Sequence, residues 1–261
     1  MKKMIIGTLD FSYKQLNSCI FGISLLILIA LTALFYPKDA LLGRYDFLAL
    51  SAVTIQILFI LFKIETLRES AMIFIFHFLG MMMEIFKTRM GSWSYSQSGI
   101  LYIYGVPLFT GFMYASVGSY ILRFQRNFHC TFTDFPSYPW ILLVALLAYI
   151  NFMTHHYMWD LRWVILLLST LIFWRTTITF ELSTGSLKLP FLMVLVSMGG
   201  LLWIAENIGT FYTIWTYPHQ TNLWQMVSPQ KIISWYLLVL TALAIVYGLY
   251  PVEREGKLAY S

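Results

Sequence analysis

Two glutamates, Glu84 and Glu206, each stand at the head of the same spaced set of residues. A threonine follows each of them after four positions, a tryptophan after nine, a tyrosine after eleven and a proline after 23. The two sets lie 122 positions apart without a gap: Thr88, Trp93, Tyr95 and Pro107 in the first, and Thr210, Trp215, Tyr217 and Pro229 in the second. A self-match at a fixed offset predicts that the chain contains two copies of one structural unit.

Each glutamate lies near the end of an apolar run, where a carboxylate anion is poorly solvated. We therefore expect such a carboxyl to hold its proton near neutral pH and to serve as a general acid. The rings of Trp93, Tyr95, Trp215 and Tyr217 could stabilise a developing carbocation through cation–π contacts, worth about 0.5–2 kcal/mol per ring. Protonation of an alkene needs an acid, cation stabilisers and controlled access of water, and this stretch could supply the first two.

The stretch before Glu84 places further polar groups on the same helix face. His77, Gly80, Glu84 and Thr88 are spaced by three, four and four positions, so they form one stripe of a helix. Ionisable residues inside a membrane usually face a bundle interior or a cavity. We therefore expect His77 to tune or relay the proton of Glu84.

The second copy offers matching candidates for contacts with a substrate. Asn207 follows Glu206 directly, and Thr210 is the counterpart of Thr88. Because identical positions in two copies are related by one axis, Glu84 and Glu206 are predicted to face each other and to share one site. Two nearby carboxyls then tend to hold a proton between them.

A structural interpretation of the same residues stays open. Glu84 could lie at the membrane interface and pair with Lys87, and the tryptophans and tyrosines could belong to an aromatic belt.

No metal or cofactor is predicted. The chain has five histidines and two cysteines, and none of them stands in a metal-binding motif or a paired cysteine spacing. His155 and His156 are adjacent, so on a helix they point to different faces and form a poor metal site.

The composition predicts a membrane protein. Hydrophobic residues make up 59% of the chain and charged residues only 11%, whereas soluble proteins carry roughly 25% charged residues. The net charge is +5, but the basic residues lie between apolar runs, which favours the positive-inside pattern over a nucleic-acid partner.

Eight apolar runs approach the roughly 20 residues that a bilayer requires. They are Ser18–Tyr36, Phe47–Lys63, Ser70–Lys87, Ile103–Leu122, Trp140–Met158, Trp163–Phe180, Phe191–Phe211 and Ile232–Tyr250. The predicted fold is all-α: one membrane domain of eight transmembrane helices, arranged as two four-helix repeats over about 1–125 and 126–261. An even number of spans gives both repeats the same orientation, so the repeats are parallel.

Loop charges predict the orientation in a bacterial plasma membrane. The N-terminus and the even-numbered loops carry eleven lysines and arginines, against six in the odd-numbered loops. Both termini are therefore expected in the cytoplasm.

The stretch from Ile85 to Tyr95, followed by Gly105-Val-Pro-Leu and the residues up to Tyr120, resembles domain-of-unknown-function family 817. This uncharacterised bacterial family includes YoaT-like proteins. The resemblance covers most of the chain and implies a multi-pass plasma-membrane protein with no assigned activity.

A fainter resemblance concerns the order glutamate, glycine, aromatic-x-tyrosine and Gly-Val-Pro-Leu, which is similar to membrane carotenoid hydratases and heterodimer-type lycopene cyclases. Those families protonate or hydrate polyene lipids and carry membrane carboxylates. Eight positions of this sequence match the pattern of those families: Glu84, Tyr95, Gly105, Val106, Pro107, Glu206, Tyr217 and Pro229.

Two functions of different classes remain, and the sequence leaves open whether the protein is an enzyme. The first is acid-catalysed chemistry on an isoprenoid or carotenoid-like lipid in a pocket with paired carboxylates. The second is a small-molecule carrier with a polar path between the repeats, and a structural or assembly protein ranks third. Membrane lipid and an apolar ligand are the expected partners, and the oligomeric state is open.

Overall fold

The computed structural model describes residues 2–95 and 99–250, apart from the side chain of Arg68, and this part of the chain is mostly helical. Its helices are α1 (Lys2–Ser18), α2 (Ile20–Phe35), α3 (Arg44–Leu61), α4 (Leu67–Arg89), α5 (Phe109–Phe128), α6 (Tyr138–Thr154), α7 (Arg162–Phe173), α8 (Phe191–Phe211) and α9 (Lys231–Leu249). Its strands are β1 (Tyr102–Ile103), β2 (Val106–Pro107), β3 (Thr131–Thr133), β4 (Thr177–Leu182) and β5 (Gly185–Pro190). The expectation of an all-α chain is therefore wrong in part.

Several described helices have membrane character. Four of them, α3, most of α4, α8 and α9, are long and apolar enough to cross a bilayer, and the number rises to five if α1 and α2 form one broken span. A helix coincides with each of the eight predicted runs, but α6 and α7 are short, at 17 and 12 residues. Length and composition thus support a membrane protein without establishing eight spans.

Two predicted spans contain strands at one end. The fourth was expected to begin at Ile103, but Tyr104 and Gly105 have φ of 51° and 80° and form a two-residue turn between β1 and β2. Positive φ at both positions suits a tight hairpin, so α5 begins only at Phe109.

The sixth span was expected to run to Phe180, but α7 ends at Phe173. The run from Thr176 to Thr179 consists of β-branched residues, which favour strands. It enters β4, which pairs antiparallel with β3 on one side and β5 on the other.

Helix α1 was not predicted, because its lysines and Asp10 interrupt any apolar run. The helix packs beside strand β4 through polar contacts. Asp10 accepts the backbone N–H of Ser183 at 2.7 Å, and Lys14 donates to the carbonyl of Glu181 at 2.7 Å.

The described chain forms two compact units. The first contains the residues up to Cys19, Tyr120–Trp203 and the residues from Pro229 on, and the second contains Ile20–Ser119 and Ile204–Ser228. The first unit includes α1, the three-stranded sheet, α6, α7 and α9. The second includes α2, α3, α4, the first part of α5 and the end of α8.

The second unit is built on an apolar core between α2, α3 and the start of α5. Its buried members include Phe21, Leu25, Ile29, Leu48, Ala52 and Phe109. Helix α4 begins with a capping box, in which Thr66 and Glu69 satisfy each other's backbone N–H groups.

Aromatic rings pack on glycines where α4 meets α5 in this unit. The ring of Tyr114 lies against Gly80, that of His77 against Gly111, and that of Phe76 against Gly118. A glycine leaves room for a ring at close approach, so these contacts fix which side chains of α4 and α5 meet.

Candidate functional site

The carboxyl group of Glu84 is buried and receives three hydrogen bonds from aromatic side chains. Trp93 Nε1 and Tyr95 Oη donate to Oε2 at 2.7 and 2.5 Å, and Tyr114 Oη donates to Oε1 at 2.8 Å. Glu84 is only 4% exposed. The indole N–H can only donate, so at least one lone pair of the carboxyl is committed to accepting.

Glu206 is held in a matching way. It is 3% exposed, and Tyr217 Oη donates to its Oε1 at 2.5 Å. Tyr95 and Tyr217 both follow their glutamate by eleven residues, so each copy of the repeated set makes the same glutamate–tyrosine hydrogen bond.

The described contacts bring the two glutamates into one cluster. The ring of Trp93, which donates to Glu84, lies edge-on to the ring of Tyr217, which donates to Glu206, with centroids 5.8 Å apart. Beside them, Ser94 and Thr216 exchange two backbone hydrogen bonds of 3.0 Å. Ser94 and Thr216 are themselves 122 positions apart, so equivalent positions of the repeated set pair directly.

The phenols of the cluster keep their protons. Burial, and then the nearby charge of Glu84, raise the pKa of Tyr95 well above its usual value, and burial and Glu206 do the same to the pKa of Tyr217. Both hydroxyls are therefore donors. Tyr95 donates to Glu84 and Tyr217 donates to Glu206, so each carboxyl of the pair is a hydrogen-bond acceptor from its own tyrosine.

His77 does not join this cluster. Its ring packs edge-on to Phe112 at 4.5 Å and against Gly111, and its buried Nδ1 has no hydrogen-bond partner among the described residues. It lies seven residues before Glu84, about 10.5 Å along the helix axis. A direct proton relay from His77 to Glu84 has no hydrogen bond to carry it in this arrangement.

Two of the predicted substrate contacts, Asn207 and Thr210, form hydrogen bonds with the loop after α8. Asn207 Oδ1 accepts the backbone N–H of Val227 at 2.9 Å, and Thr210 accepts from Trp224 Nε1 at 3.2 Å. The ring of Trp215 packs against Gly209. Thr88 Oγ1 is buried and has no hydrogen-bond partner within the described part of the chain.

Tyr114 is the member of the cluster that the sequence analysis missed. A signal for it existed, because Tyr236 stands 122 positions later. The two tyrosines differ in their partners: Tyr114 binds Glu84, whereas Tyr236 Oη lies 3.0 Å from Ser169 Oγ.

Over residues 2–95 and 99–250, no group of three or more histidine, cysteine, aspartate or glutamate side chains could hold a metal ion. Aromatic N–H and O–H groups donate hydrogen bonds to both glutamates. The cluster is therefore suited to protons and hydrogen bonds.

Comparison with known proteins gives one family and one curated relative. A family model described as a protein of unknown function, DUF817, matches residues 8–243. The uncharacterized protein YoaT of Bacillus subtilis (strain 168) is 37% identical over 246 residues, which cover 94% of this chain and 92% of that protein. No solved structure matches significantly. The resemblance to family 817 is confirmed.

Proposed function

We infer a function from the paired carboxylates, because domain-of-unknown-function family 817, to which this chain belongs, supplies no activity. The proposal rests on the cluster in which Trp93 and Tyr217 connect Glu84 with Glu206.

The proposed setting is the bacterial plasma membrane, crossed eight times by two parallel four-helix repeats over about 1–125 and 126–261. The helix bounds support the repeats. Shifted by 122 positions, α4 overlays α8 to within two residues and α5 overlays α9 to within one. The shared glutamate–tyrosine spacing supports them independently.

The orientation places both termini in the cytoplasm and the loops with Ser94 and Thr216 outside. We expect single cysteines at Ser94 and at Thr216 to react with an impermeant thiol reagent in whole cells, because the same charge bias places both loops on the outer side. The native Cys19 and Cys130 are first replaced by alanine. Labelling that occurs only after lysis would reverse the orientation.

The proposed activity is acid–base chemistry on an apolar, isoprenoid-like lipid. One carboxyl in its acid form gives a proton to an alkene carbon, so that the π electrons form the new C–H bond and the neighbouring carbon becomes a cation. The other carboxylate removes a proton from an adjacent carbon, and those C–H electrons form the new double bond. The two carboxyls exchange roles over one cycle, which is why both belong to one cluster.

A proton-coupled carrier of small molecules is the second candidate, and the three donors on Glu84 favour it. They hold the buried Glu84 carboxyl in a network of hydrogen bonds through which it can take up and release a proton. Reversible uptake and release of a proton is what a coupled carrier requires of a buried carboxyl.

Glutamine substitutions separate these candidates. Lipids are extracted from cells that lack the protein and from cells that carry the wild type, Glu84→Gln, Glu206→Gln or the control Glu181→Gln, which alters an exposed carboxylate on β4. General acid–base catalysis is worth about 10²–10⁴-fold, so we expect the two site variants to lose about 100-fold or more of the conversion and the control to lose none.

An isoprenoid profile that is the same with and without the protein would contradict the enzyme. If uptake or efflux of a solute then responds to the two site substitutions and not to Glu181→Gln, the carrier takes its place.

A further inference from the structure

Helix α1 turns its apolar side chains outward and its polar side chains toward the rest of its unit. Ile5, Leu9, Tyr13 and Leu16 are spaced by four, four and three positions, so they form one stripe of the helix, here called the α1 stripe. Each of these residues is more than half exposed, with fractions from 51% to 68%. A helix of a soluble protein places such a stripe against the core, so α1 has the reverse arrangement.

The opposite side of α1 contacts protein. Gly7, Phe11, Lys14 and Ser18 are spaced by four, three and four positions, and they lie on the side of the helix away from the α1 stripe. Gly7 and Ser18 are buried, and the ring of Phe11 packs on that of Phe128 with centroids 5.3 Å apart. Packing within the unit therefore covers this side of α1 and leaves the apolar stripe outside.

Hydrogen bonds fix the rotation of α1 about its own axis. Asp10 and Lys14 bind the end of β4 and the turn that follows it, each at 2.7 Å. Gln15 Nε2 donates to Tyr120 Oη on α5 at 2.9 Å. Turning the α1 stripe inward would break all three of these bonds, so the stripe is held on the outside of the unit.

The chain around α1 indicates that lipid covers the stripe. Helix α1 ends at Ser18, and Ile20 begins α2, a helix of 16 residues without a charged side chain. Helix α1 itself carries four charged residues among its 17 and is about 25 Å long, so it does not suit a span of its own. A charged helix that is apolar along its outer side and leads into an apolar helix is typical of the membrane interface.

The charges of α1 favour an anionic leaflet as the surface that covers it. Lys2 and Lys3 are exposed at the start of the helix, and their long stems let the ammonium groups reach the headgroups above an apolar face. Tyr13 has an apolar ring with a polar tip, which suits the level of the headgroups. A second copy of this chain would bring the same positive charges to the stripe, so charge complementarity selects anionic phospholipid.

We propose that α1 lies in the plane of the membrane interface, with the α1 stripe among the acyl chains and with Lys2 and Lys3 at the phosphates of anionic phospholipids. Because its inner side is bonded to β4, α1 also holds the three-stranded sheet beside that leaflet. The proposal depends neither on the chemistry at Glu84 and Glu206 nor on which side of the membrane the termini occupy.

A fluorophore attached to Leu9→Cys tests the position of the stripe in the full-length protein, reconstituted in vesicles after Cys19 and Cys130 are replaced by alanine. The matched control is the same fluorophore on Thr8→Cys, which is also exposed but lies about 100° away around the helix. In phosphatidylcholine vesicles with brominated acyl chains, we expect strong quenching of the probe at position 9 and weaker quenching at position 8. Iodide in the water should give the reverse order.

The headgroup preference is tested with the same probe. At an equal mole fraction, brominated phosphatidylglycerol should quench the probe at position 9 more strongly than brominated phosphatidylcholine does. Each lysine near an anionic surface favours binding by about fivefold at low salt. The double substitution Lys2→Gln and Lys3→Gln should therefore remove most of the preference and leave quenching by phosphatidylcholine unchanged.

Three results would overturn the proposal. Equal quenching of the two probes by brominated lipid would show that the α1 stripe does not lie among the acyl chains. A probe at position 9 that neither lipid nor iodide quenches, but that quenches itself as the protein density rises, would assign the stripe to a second copy of the chain. A preference for phosphatidylglycerol that is absent, or that survives the double lysine substitution, would contradict the role of Lys2 and Lys3.

Discussion

Replacing Glu84 by leucine is expected to lower the free energy of unfolding by about 3–5 kcal/mol, a large part of the stability of a typical domain. The substitution removes the acceptor from three donors, Trp93 Nε1, Tyr95 Oη and Tyr114 Oη. Each buried donor without a partner costs roughly 1–3 kcal/mol. The new side chain regains part of this by burying apolar surface.

The measurement is chemical or thermal unfolding of the purified protein in detergent. Glu181→Leu on the exposed strand β4 is the matched control and should change little. A second variant, Tyr114→Phe in the Glu84→Leu background, removes one unpaired hydroxyl and should restore part of the loss. A Glu84→Leu protein as stable as the wild type would show that these three donors do not depend on Glu84.

The helices and the repeated glutamate–tyrosine contact could be predicted from the sequence because both leave a periodic trace. Apolar length located a helix at each predicted run. The constant spacing of eleven residues predicted that Tyr95 and Tyr217 would hold equivalent places, and each donates to its own glutamate. The spacing carried no information about which edge of each ring meets the carboxyl.

The predicted role of the rings, stabilisation of a carbocation, depends on how each ring is oriented. Trp93 and Tyr95 were expected to present their faces to a cation, which stays a prediction, and the structure adds that their N–H and O–H groups donate to Glu84. The His77 stripe was a correct helical pattern, but seven residues of rise separate His77 from Glu84. Phe112, the aromatic ring that packs on His77, comes from α5, and no local pattern could indicate this contact.

Tyr114 and the α1 stripe were missed for different reasons. Tyr114 meets Glu84 because its ring fits against Gly80 on the neighbouring helix, and such a fit depends on tertiary packing. The α1 stripe lies in a stretch that charged residues interrupt, so it belongs to no apolar run. Only the contacts of Asp10 and Lys14 with the neighbouring sheet show which side of α1 faces outward.

The second large loss of stability is expected at Gly118, where α5 packs on α4. A Cβ atom added there would overlap Phe76 Cδ2 and lie 2.5 Å from Phe76 Cε2. Phe76 is 6% exposed, so its ring has little room to move. Overpacking of this kind costs about 1–3 kcal/mol, and we expect Gly118→Ala to be destabilised by that amount relative to a glycine-to-alanine change in open space.

Gly200→Ala on α8 supplies that reference, because a Cβ at Gly200 meets no atom within 4 Å. Alanine is better than glycine in a helix by about 1 kcal/mol at both positions, so the difference between the two variants isolates the contact with the ring. Unfolding of both proteins under one set of conditions measures it. Adding Phe76→Leu should narrow the difference, because a smaller side chain leaves room for the new methyl group. Equal stability of the two alanine variants would mean that α5 does not approach Phe76 as closely as the structure has it.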